Sequence, residues 1–163
     1  MLTCPKAVAL TWSPALAEIA QVIASSCIYG HNVTAGGGGY GQNIGAGFLS
    51  TAMGQFITEG LYNSEVNNYF YFGMEPDLNT LSLWGHFTQI VWKSSLTVGC
   101  YTSDCSATGL QNAAGIPPYF TVCNYAPPGN FVGQFSPNVG PGLGAPSIDA
   151  SYSCPSRANC VDQ

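Results

Sequence analysis

The sequence predicts an α+β domain, because two helical patterns fill its first half and two strand-like runs follow them. A chain of 163 residues is long enough for one domain with its own core. Its apolar content of 46% is ordinary, although only 7% of its residues are charged. No stretch approaches the ~20 apolar residues that a membrane-spanning helix needs, so we predict no membrane span.

The first helix is predicted within residues 11–30. Ser13 is a suitable cap and Pro14 a suitable first helical residue, while Gly30 can end the helix. Apolar side chains recur at helical spacing, at Leu16, Ile19, Ala20, Ile23 and Cys27. The glycine-rich residues 31–47 then predict a flexible loop. A phosphate-binding loop is not indicated, since no strand precedes these glycines and no lysine follows them.

The second helix is predicted over residues 51–73. Its apolar stripe consists of Phe56, Tyr62, Val66, Tyr69 and Phe70. Glu65 lies at the edge of this stripe, so its ionisation is expected to depend on its surroundings.

The second half of the chain is predicted to contain a short helix and two strands. Residues 83–92 favour the short helix or a turn, and residues 95–103 and 119–126 favour strands. From Pro127 onwards the chain is rich in Pro, Gly, Ser and Asn, which predicts a surface segment without regular structure.

Seven cysteines in a small chain indicate an oxidising compartment. None of them forms a Cys-x-x-Cys pair, so disulfides are favoured over a zinc site. The odd count leaves one cysteine without a partner, and Cys4 is our candidate. Cys154 and Cys160 are close enough in sequence to clip the C-terminal segment to itself. We expect a secreted, extracellular protein whose signal peptide is absent from this chain, either removed or missing from an incomplete N-terminus.

The charge balance limits the possible partners. The chain has 3 Lys+Arg and 8 Asp+Glu, for a net charge of −5, which excludes nucleic acid and anionic lipid headgroups as expected partners. Binding should rest on apolar contacts or on a few placed polar groups. Asn32, followed by Val33 and Thr34, is an acceptor sequence for glycosylation, in agreement with secretion.

Two long stretches carry a family resemblance. Residues 85–95 read GHFTQIVWKSS, and residues 120–131 read FTVCNYAPPGNF. Shorter matches lie at residues 10–12, 27–31 and 40–43. In these stretches the chain resembles the CAP superfamily of cysteine-rich secretory proteins, insect antigen five and plant pathogenesis-related proteins of class one. It is most similar to the fungal secreted members of that superfamily.

The resemblance implies a three-layer α-β-α sandwich. The CAP domain is expected over residues 9–137, and a Pro/Gly/Ser-rich tail over residues 138–163. The helix that usually precedes the Leu-x-Trp stretch is expected to be missing, because this sequence begins too late to contain it. The surface which that helix would cover is then exposed or covered by something else, such as the tail.

The resemblance also implies a cleft in which two histidines and two glutamates meet. The matching residues here are His31, Gln42, Glu65 and His86. In relatives the histidines can hold a divalent metal such as zinc, and the glutamates hydrogen-bond around a water. Gln42 replaces one carboxylate, which leaves His31 and His86 as two neutral ligands without a third. We therefore expect weak zinc binding and no cofactor. Without the resemblance, His86 would be interpreted as an ordinary hydrogen-bonded core residue.

The disulfide pairing follows if the two predicted strands are neighbours. Cys100 can then pair with Cys123, and Cys27 with Cys105 would tie the first helix to the edge of the sheet. This pairing is similar to the arrangement of the family, but sequence alone does not determine connectivity.

The resemblance favours a non-catalytic carrier of sterols or other small lipids such as fatty acids. The predicted lipid contacts are Tyr69, Tyr71, Phe72, Leu83 and Trp84. The aromatic pattern of sterol-binding relatives is not reproduced. The alternative is a secreted interaction, defence or effector module with a vestigial cleft, acting on a surface protein of a host or competitor. A metal-dependent hydrolase with Glu65 as base is less favoured, because the second carboxylate is missing.

Overall fold

A four-stranded sheet forms the centre of the fold in this computed structural model, which describes residues 9–141. The strands are β1 (Thr11–Trp12), β2 (Gly41–Ala46), β3 (Thr97–Asp104) and β4 (Tyr119–Ala126). Their spatial order is β1-β3-β4-β2; β1 runs parallel to β3, and the other neighbours are antiparallel. The two strands predicted after residue 94 are confirmed as β3 and β4. β2 is an edge strand, and this position matters for the site.

The helical elements lie on the two faces of the sheet. They are α1 (Pro14–Ala24), α2 (Met53–Gln55, continuing as a π-helix over Phe56–Asn63), α3 (Gly85–Ile90) and α4 (Phe135–Asn138). Short 3-10 turns occupy Ala35–Gly37, Ser50–Ala52, Val66–Asn68 and Leu78–Leu83. Within the described part of the chain, no helix has the length and apolar character required to cross a membrane.

Side chains of β4 alternate between the two faces of the sheet, as strand geometry requires. Phe120 and Val122 pack with the buried face of α1. Cys123 and Tyr125 pack on the opposite face, with residues that include Met53 of α2. Helices therefore cover both faces of the sheet, which is the three-layer α-β-α arrangement implied by the resemblance.

Helix α1 begins where the sequence predicts. The Ser13 hydroxyl accepts a hydrogen bond from the Leu16 amide at 3.3 Å, which caps the helix. The helix packs very closely on β3, because a Cβ on Gly99 would lie 2.3 Å from the Ala17 nitrogen. It ends at Ala24, earlier than the predicted stop at residue 30.

The second predicted helix, over residues 51–73, is shorter in the structure and ends at Asn63. The residues that follow are rich in Asn and Ser, whose side chains compete for backbone hydrogen bonds. The Ser64 hydroxyl, for example, donates to the Gly60 carbonyl at 2.7 Å. Glu65 consequently lies beyond the end of this helix and not, as predicted, on the helix at the edge of its apolar stripe.

The prediction of a flexible loop over residues 31–47 is wrong over β2. All six residues of Gly41–Ala46 pair with β4. Glycine disfavours strands, so the local sequence does not predict this one. The strand is stabilised by its long antiparallel pairing with β4. Gly45 is needed there, since a Cβ would lie 2.2 Å from the ring of Phe56.

The chain after β4 is more ordered than predicted. It forms α4, and Phe135 is fully buried between Trp84 and Trp92, with ring centroids 5.5 and 5.1 Å away. Val139 is 1% exposed, so the packed part of the chain continues past residue 137. Most of the predicted tail, from residue 142 to the end, lies outside the described residues.

Two disulfides join the layers and the strands. Cys27–Cys105 ties the turn after α1 to the residue that follows β3, and Cys100–Cys123 links paired positions of β3 and β4. These are the two pairs argued from strand adjacency. The three other cysteines lie outside the described residues: Cys4, Cys154 and Cys160.

Candidate functional site

An open pocket of about 310 Å³ lies where the β2 edge of the sheet meets α3. Its lining includes His31, Gln42, Asn43, Leu81, His86 and Asn130. His31 comes from the chain that follows α1, whereas His86 is the second residue of α3. The structure therefore brings three residues of the predicted tetrad to one pocket, and these are His31, Gln42 and His86.

The imidazole of His31 is oriented by Gln42. Its Nδ1 lies 3.1 Å from Gln42 Oε1. An amide oxygen only accepts hydrogen bonds, so this contact requires the proton of the ring to be on Nδ1. Nε2 has no hydrogen-bond partner among the described residues and is left to the pocket that the ring lines.

The amide of Gln42 is engaged at both ends. Oε1 also accepts from the Asn32 amide at 3.0 Å, and Nε2 donates to the Asn32 carbonyl at 3.1 Å and to Asn124 Oδ1 at 2.9 Å. Asn124 in turn donates its Nδ2 to the Leu16 carbonyl at 3.2 Å, so it cannot rotate its oxygen away without losing that bond. Two acceptors thus face the amide nitrogen, and a carboxylate does not suit this position.

Glu65 is buried behind His86 and does not line the pocket. Its Oε1 lies 2.6 Å from His86 Nδ1, and its Oε2 accepts from the Phe87 amide at 2.9 Å. That amide belongs to the first turn of α3, where backbone donors have no partner within the helix. The carboxylate therefore fixes the ring of His86 and caps α3 at the same time, and it leaves Nε2 of His86 to the pocket.

Two asparagines that the sequence analysis missed also line the pocket. Asn43 Nδ2 donates to the His86 carbonyl at 3.1 Å and to the hydroxyl of Tyr125 at 3.3 Å. Burial raises the pKa of Tyr125 well above its usual value, so the phenol is neutral. Asn130 Nδ2 donates to the Gly85 carbonyl at 2.8 Å. Both asparagines belong to stretches that carry the family resemblance, so they could have been identified from the sequence.

The ligands that the described residues could offer a metal ion are few. Stable zinc sites use three or four ligands from His, Cys, Asp or Glu. Within residues 9–141, no three such residues come together. His31 and His86 can offer two Nε2 atoms, but both oxygens of Glu65 are already hydrogen-bonded.

The residues predicted to contact a lipid differ strongly in burial. Tyr69 and Trp84 are at most 1% exposed, and their rings pack edge to face with centroids 5.2 Å apart. They belong to the core, so a direct lipid contact does not fit either of them. Tyr71 and Phe72 are half-buried against Tyr69, and Leu83 is 53% exposed.

The segment before α3 presents an apolar surface, which we call the 70–83 surface. Its exposed side chains are Phe70, Met74, Leu78, Leu81 and Leu83. Leu81 also lines the pocket, so this surface borders the cleft. Single exposed apolar residues are ordinary, whereas this short segment carries five of them.

Replacing Tyr69 with phenylalanine is expected to stabilise the fold. The Tyr69 hydroxyl is buried without a hydrogen-bond partner among the described residues, so its removal should raise the free energy of unfolding by about 1 kcal/mol. Burial, with smaller contributions from Glu75 and Tyr71, raises the pKa of Tyr69 from 10.0 to about 12. The wild-type chain should therefore lose stability between pH 10 and about 12, because the unfolded tyrosine ionises first.

Urea unfolding at neutral pH and across this alkaline range measures both effects of Tyr69→Phe. The matched control is Tyr119→Phe, since Tyr119 is only half-buried and its removal should change stability little. An unchanged or lower stability of Tyr69→Phe at neutral pH would contradict the prediction.

Replacing Gln42 with glutamate is expected to destabilise the fold by about 1–2 kcal/mol at neutral pH. A carboxylate there would place an oxygen against the acceptors of Asn32 and Asn124. The loss should shrink in acid, because a protonated carboxyl can donate to one of them. Chemical denaturation at neutral and at acidic pH measures the change in the free energy of unfolding. The matched control is Gln55→Glu, because Gln55 is exposed on α2. Equal stability of Gln42→Glu and wild type at neutral pH would count against the role given to Gln42.

The chain matches the family described as "CAP: Cysteine-rich secretory protein family" over residues 6–125. It is 47% identical over 146 residues to a "Probable pathogenesis-related protein" of Arthroderma benhamiae, covering 86% of this chain and 45% of that protein. It is 36% identical over 132 residues to "Protein PRY2" of Saccharomyces cerevisiae, covering 81% of this chain and 35% of that protein. The chain therefore spans less than half the length of these two fungal relatives.

A plant relative is covered more fully. The chain is 34% identical over 129 residues to "Pathogenesis-related protein 1C" of Nicotiana tabacum, which covers 77% of this chain and 67% of that protein. The relatives from Arthroderma benhamiae and Nicotiana tabacum are both named as pathogenesis-related proteins.

Solved structures support the fold. The structure named "Crystal structure of NaASP2 with Zn2+" is similar with a TM-score of 0.62 and 20% identity, over 86% of this chain and 72% of that one. "Crystal Structure of MpPR-1i" is similar with a TM-score of 0.50 and 22% identity, over 82% and 84% of the two chains. Identities this low speak for the fold alone. Together with the family match and the fungal and plant relatives, they show that this chain belongs to the CAP family of cysteine-rich secretory proteins.

Proposed function

We propose that this chain is a secreted, non-catalytic CAP protein that binds a sterol or another small lipid, such as a fatty acid, at the 70–83 surface. The observation that carries this proposal is the group of exposed apolar side chains beside the pocket, of which Phe70 is 77% and Leu83 53% exposed. Covering such a surface with an apolar ligand is favourable by about 25 cal/mol for each Å² removed from water.

The charge of the chain supports an apolar ligand. With 3 Lys+Arg in the whole sequence, little attraction exists for an anionic headgroup or a polyanion. A single hydroxyl of the ligand can donate to the adjoining pocket, where Nε2 of His31 and of His86 are acceptors. Leu81 lies on both the pocket and the 70–83 surface, so one ligand can reach the two.

Secretion is supported by the disulfides and by the relatives. Two disulfides in a domain this small are typical of extracellular proteins. One relative, 33% identical over 124 residues, is named "Secreted protein RBT4" of Candida albicans.

Catalysis is not part of the proposal. A hydrolase of this kind needs a metal with an open position or an activated nucleophile. Ser82 lines the pocket with His86, but no hydrogen bond joins them within the described residues. The Glu65 carboxylate is used in fixing α3, so it is not free to act as a base on a bound water.

The second candidate function is an interaction or effector module that acts on a surface protein of a host or competitor. The bonds of Gln42 favour it, because they hold His31 and the backbone of Asn32 in one rigid network at the surface. In that case the 70–83 surface would contact a protein and not a lipid.

Lipid binding is tested by native mass spectrometry of the secreted protein and by competition with radiolabelled cholesterol or ergosterol and with palmitate. Leu83→Ser is expected to weaken binding about tenfold, which corresponds to losing one buried leucine contact. The matched control is Leu96→Ser, since Leu96 is 52% exposed but lies near β1 at the opposite edge of the sheet. No bound lipid and no competition in the wild-type chain would exclude the carrier and leave the interaction module.

Zinc binding is expected to be weak. Calorimetric titration of the chain with zinc at micromolar concentration should give no tight one-to-one isotherm, because the pocket offers two histidine nitrogens and no third ligand. His86→Ala is the comparison that assigns any residual heat to the pocket. A tight isotherm that disappears in His86→Ala would overturn this expectation.

A further inference from the structure

We propose that Asn32 carries an N-linked oligosaccharide whose first sugars occupy a second groove, on the α1 side of His31. The proposal rests on secretion, which is part of the proposed function, and it does not depend on lipid binding. The acceptor pattern of Asn32, Val33 and Thr34 suggests the modification.

The side chain of Asn32 is exposed and oriented by its oxygen alone. Oδ1 accepts from the Thr34 amide at 3.2 Å, the Thr34 hydroxyl at 3.1 Å and the Ala35 amide at 3.1 Å. Two of these donors are backbone amides, so turning the side chain over would set N–H against N–H. Nδ2 has no partner among the described residues, and a sugar attached to it leaves all three bonds intact.

The backbone of Asn32 is fixed to the wall of the cleft. Its N–H donates to Gln42 Oε1 at 3.0 Å, and its carbonyl accepts from Gln42 Nε2 at 3.1 Å and from the Tyr40 hydroxyl at 3.1 Å. The attachment point is therefore held in one place, between the pocket on one side and the second groove on the other.

The second groove has a volume of about 550 Å³ and runs along the C-terminal end of α1. Its lining includes Ile23, Ile28, Gly30, His31, Val33 and Thr34. Ile28 is 47% and Val33 48% exposed, so the groove has an apolar floor open to solvent. The C–H faces of a pyranose ring pack well on such a floor while its hydroxyls stay in water. No residue that lines this groove belongs to the 70–83 surface.

The modification is an ordinary glycosyl transfer. Nδ2 forms a bond to the anomeric carbon of an oligosaccharide carried on a polyprenyl diphosphate. The bond from that carbon to the diphosphate oxygen breaks, the diphosphate leaves, and one amide proton is released. Transfer takes place before folding, so the folded structure has only to accommodate the product.

The first test is mass spectrometry of the chain secreted from a yeast host, before and after removal of N-glycans with a peptide N-glycosidase. We expect a mass loss together with conversion of Asn32 to aspartate. Thr34→Ser retains the acceptor pattern and should keep the glycan, whereas Thr34→Val should abolish it. Unmodified Asn32 in the secreted chain would overturn the proposal, and lipid content measured in the same spectra reports on the carrier function separately.

The second test addresses the groove. An endoglycosidase that leaves one sugar on Asn32 gives a protein to compare with the same sequence from a bacterial periplasm, which carries none. The single sugar is expected to raise Tm by about 2 °C. Val33→Ser keeps the acceptor pattern and should abolish this rise. Val22→Ser should preserve it, because Val22 is 69% exposed on α1 and does not line the groove. Equal Tm values with and without the sugar would refute occupation of the groove.

Discussion

Replacing Cys27 and Cys105 together with alanine is expected to lower the free energy of unfolding by about 4.5 kcal/mol, the value that chain entropy gives for a loop of their sequence separation of 78. The bond holds the turn after α1 against the end of β3. Cys105 is 1% exposed and packs in the core beneath α1, so its replacement also removes buried contacts. Urea unfolding of the oxidised proteins measures the loss.

The second disulfide provides the matched comparison. Cys100 and Cys123 are separated by 23 residues and lie on strands that are already paired, so replacing both with alanine should cost less, about 3.4 kcal/mol. If the Cys100 and Cys123 replacement proves the more damaging of the two, unfolded-state loop entropy is not what sets the contribution of these bonds.

Replacing Glu65 with alanine is expected to lower the free energy of unfolding by about 3 kcal/mol. The substitution leaves the buried amide of Phe87 without its acceptor and removes the partner of His86 Nδ1. Glu18→Ala is the matched control, because Glu18 is exposed on α1 and its loss should change stability by less than about 0.5 kcal/mol. Similar unfolding curves for the two variants would refute a structural role of Glu65.

The conservative change Glu65→Gln separates positioning from simple stability. Its amide oxygen can still accept from Phe87, but its nitrogen then faces His86 Nδ1 and donates to it. The proton of the His86 ring should therefore move to Nε2, which reverses what the ring offers to the pocket. Nitrogen NMR of the ring reports the tautomer directly, and a proton that remains on Nδ1 would contradict this assignment.

Much of the sheet and the first helix could be predicted from local patterns. Ser13 and Pro14 form a strong helix start, and the β-branched and aromatic residues of β4 alternate between two buried faces. Such signals depend on neighbours in the chain and can be read without the fold.

Other elements could not be predicted in this way. β2 contains two glycines and exists because β4 offers a long partner, which the local sequence does not show. The helix end at Asn63 depends on side chains that form hydrogen bonds with backbone groups, and it places Glu65 beyond the helix on which it was predicted. The burial of Phe135 depends on Trp84 and Trp92, which precede it by more than forty residues.

The residues of the cleft could be predicted from the family resemblance and not from hydrophobic periodicity. His31 and His86 are far apart in sequence, and no spacing rule connects them. Gln42 is the instructive case, since it appeared as a lost carboxylate in the sequence. In the structure, two donors face the oxygen of its amide and two acceptors face the nitrogen. The surrounding residues therefore satisfy a glutamine at this position.

The packing of Phe135 between two tryptophan rings has a consequence for the fluorescence of the protein. Trp84 and Trp92 are at most 2% exposed, whereas Trp12, the third tryptophan, is 40% exposed. Tryptophan fluorescence of the folded protein should therefore combine the emission of two buried side chains with that of one side chain in contact with water. If α4 detached while the β-sheet stayed intact, Trp84 and Trp92 would become exposed to water. A red shift of the emission that precedes the loss of far-ultraviolet ellipticity would therefore reveal local opening at α4.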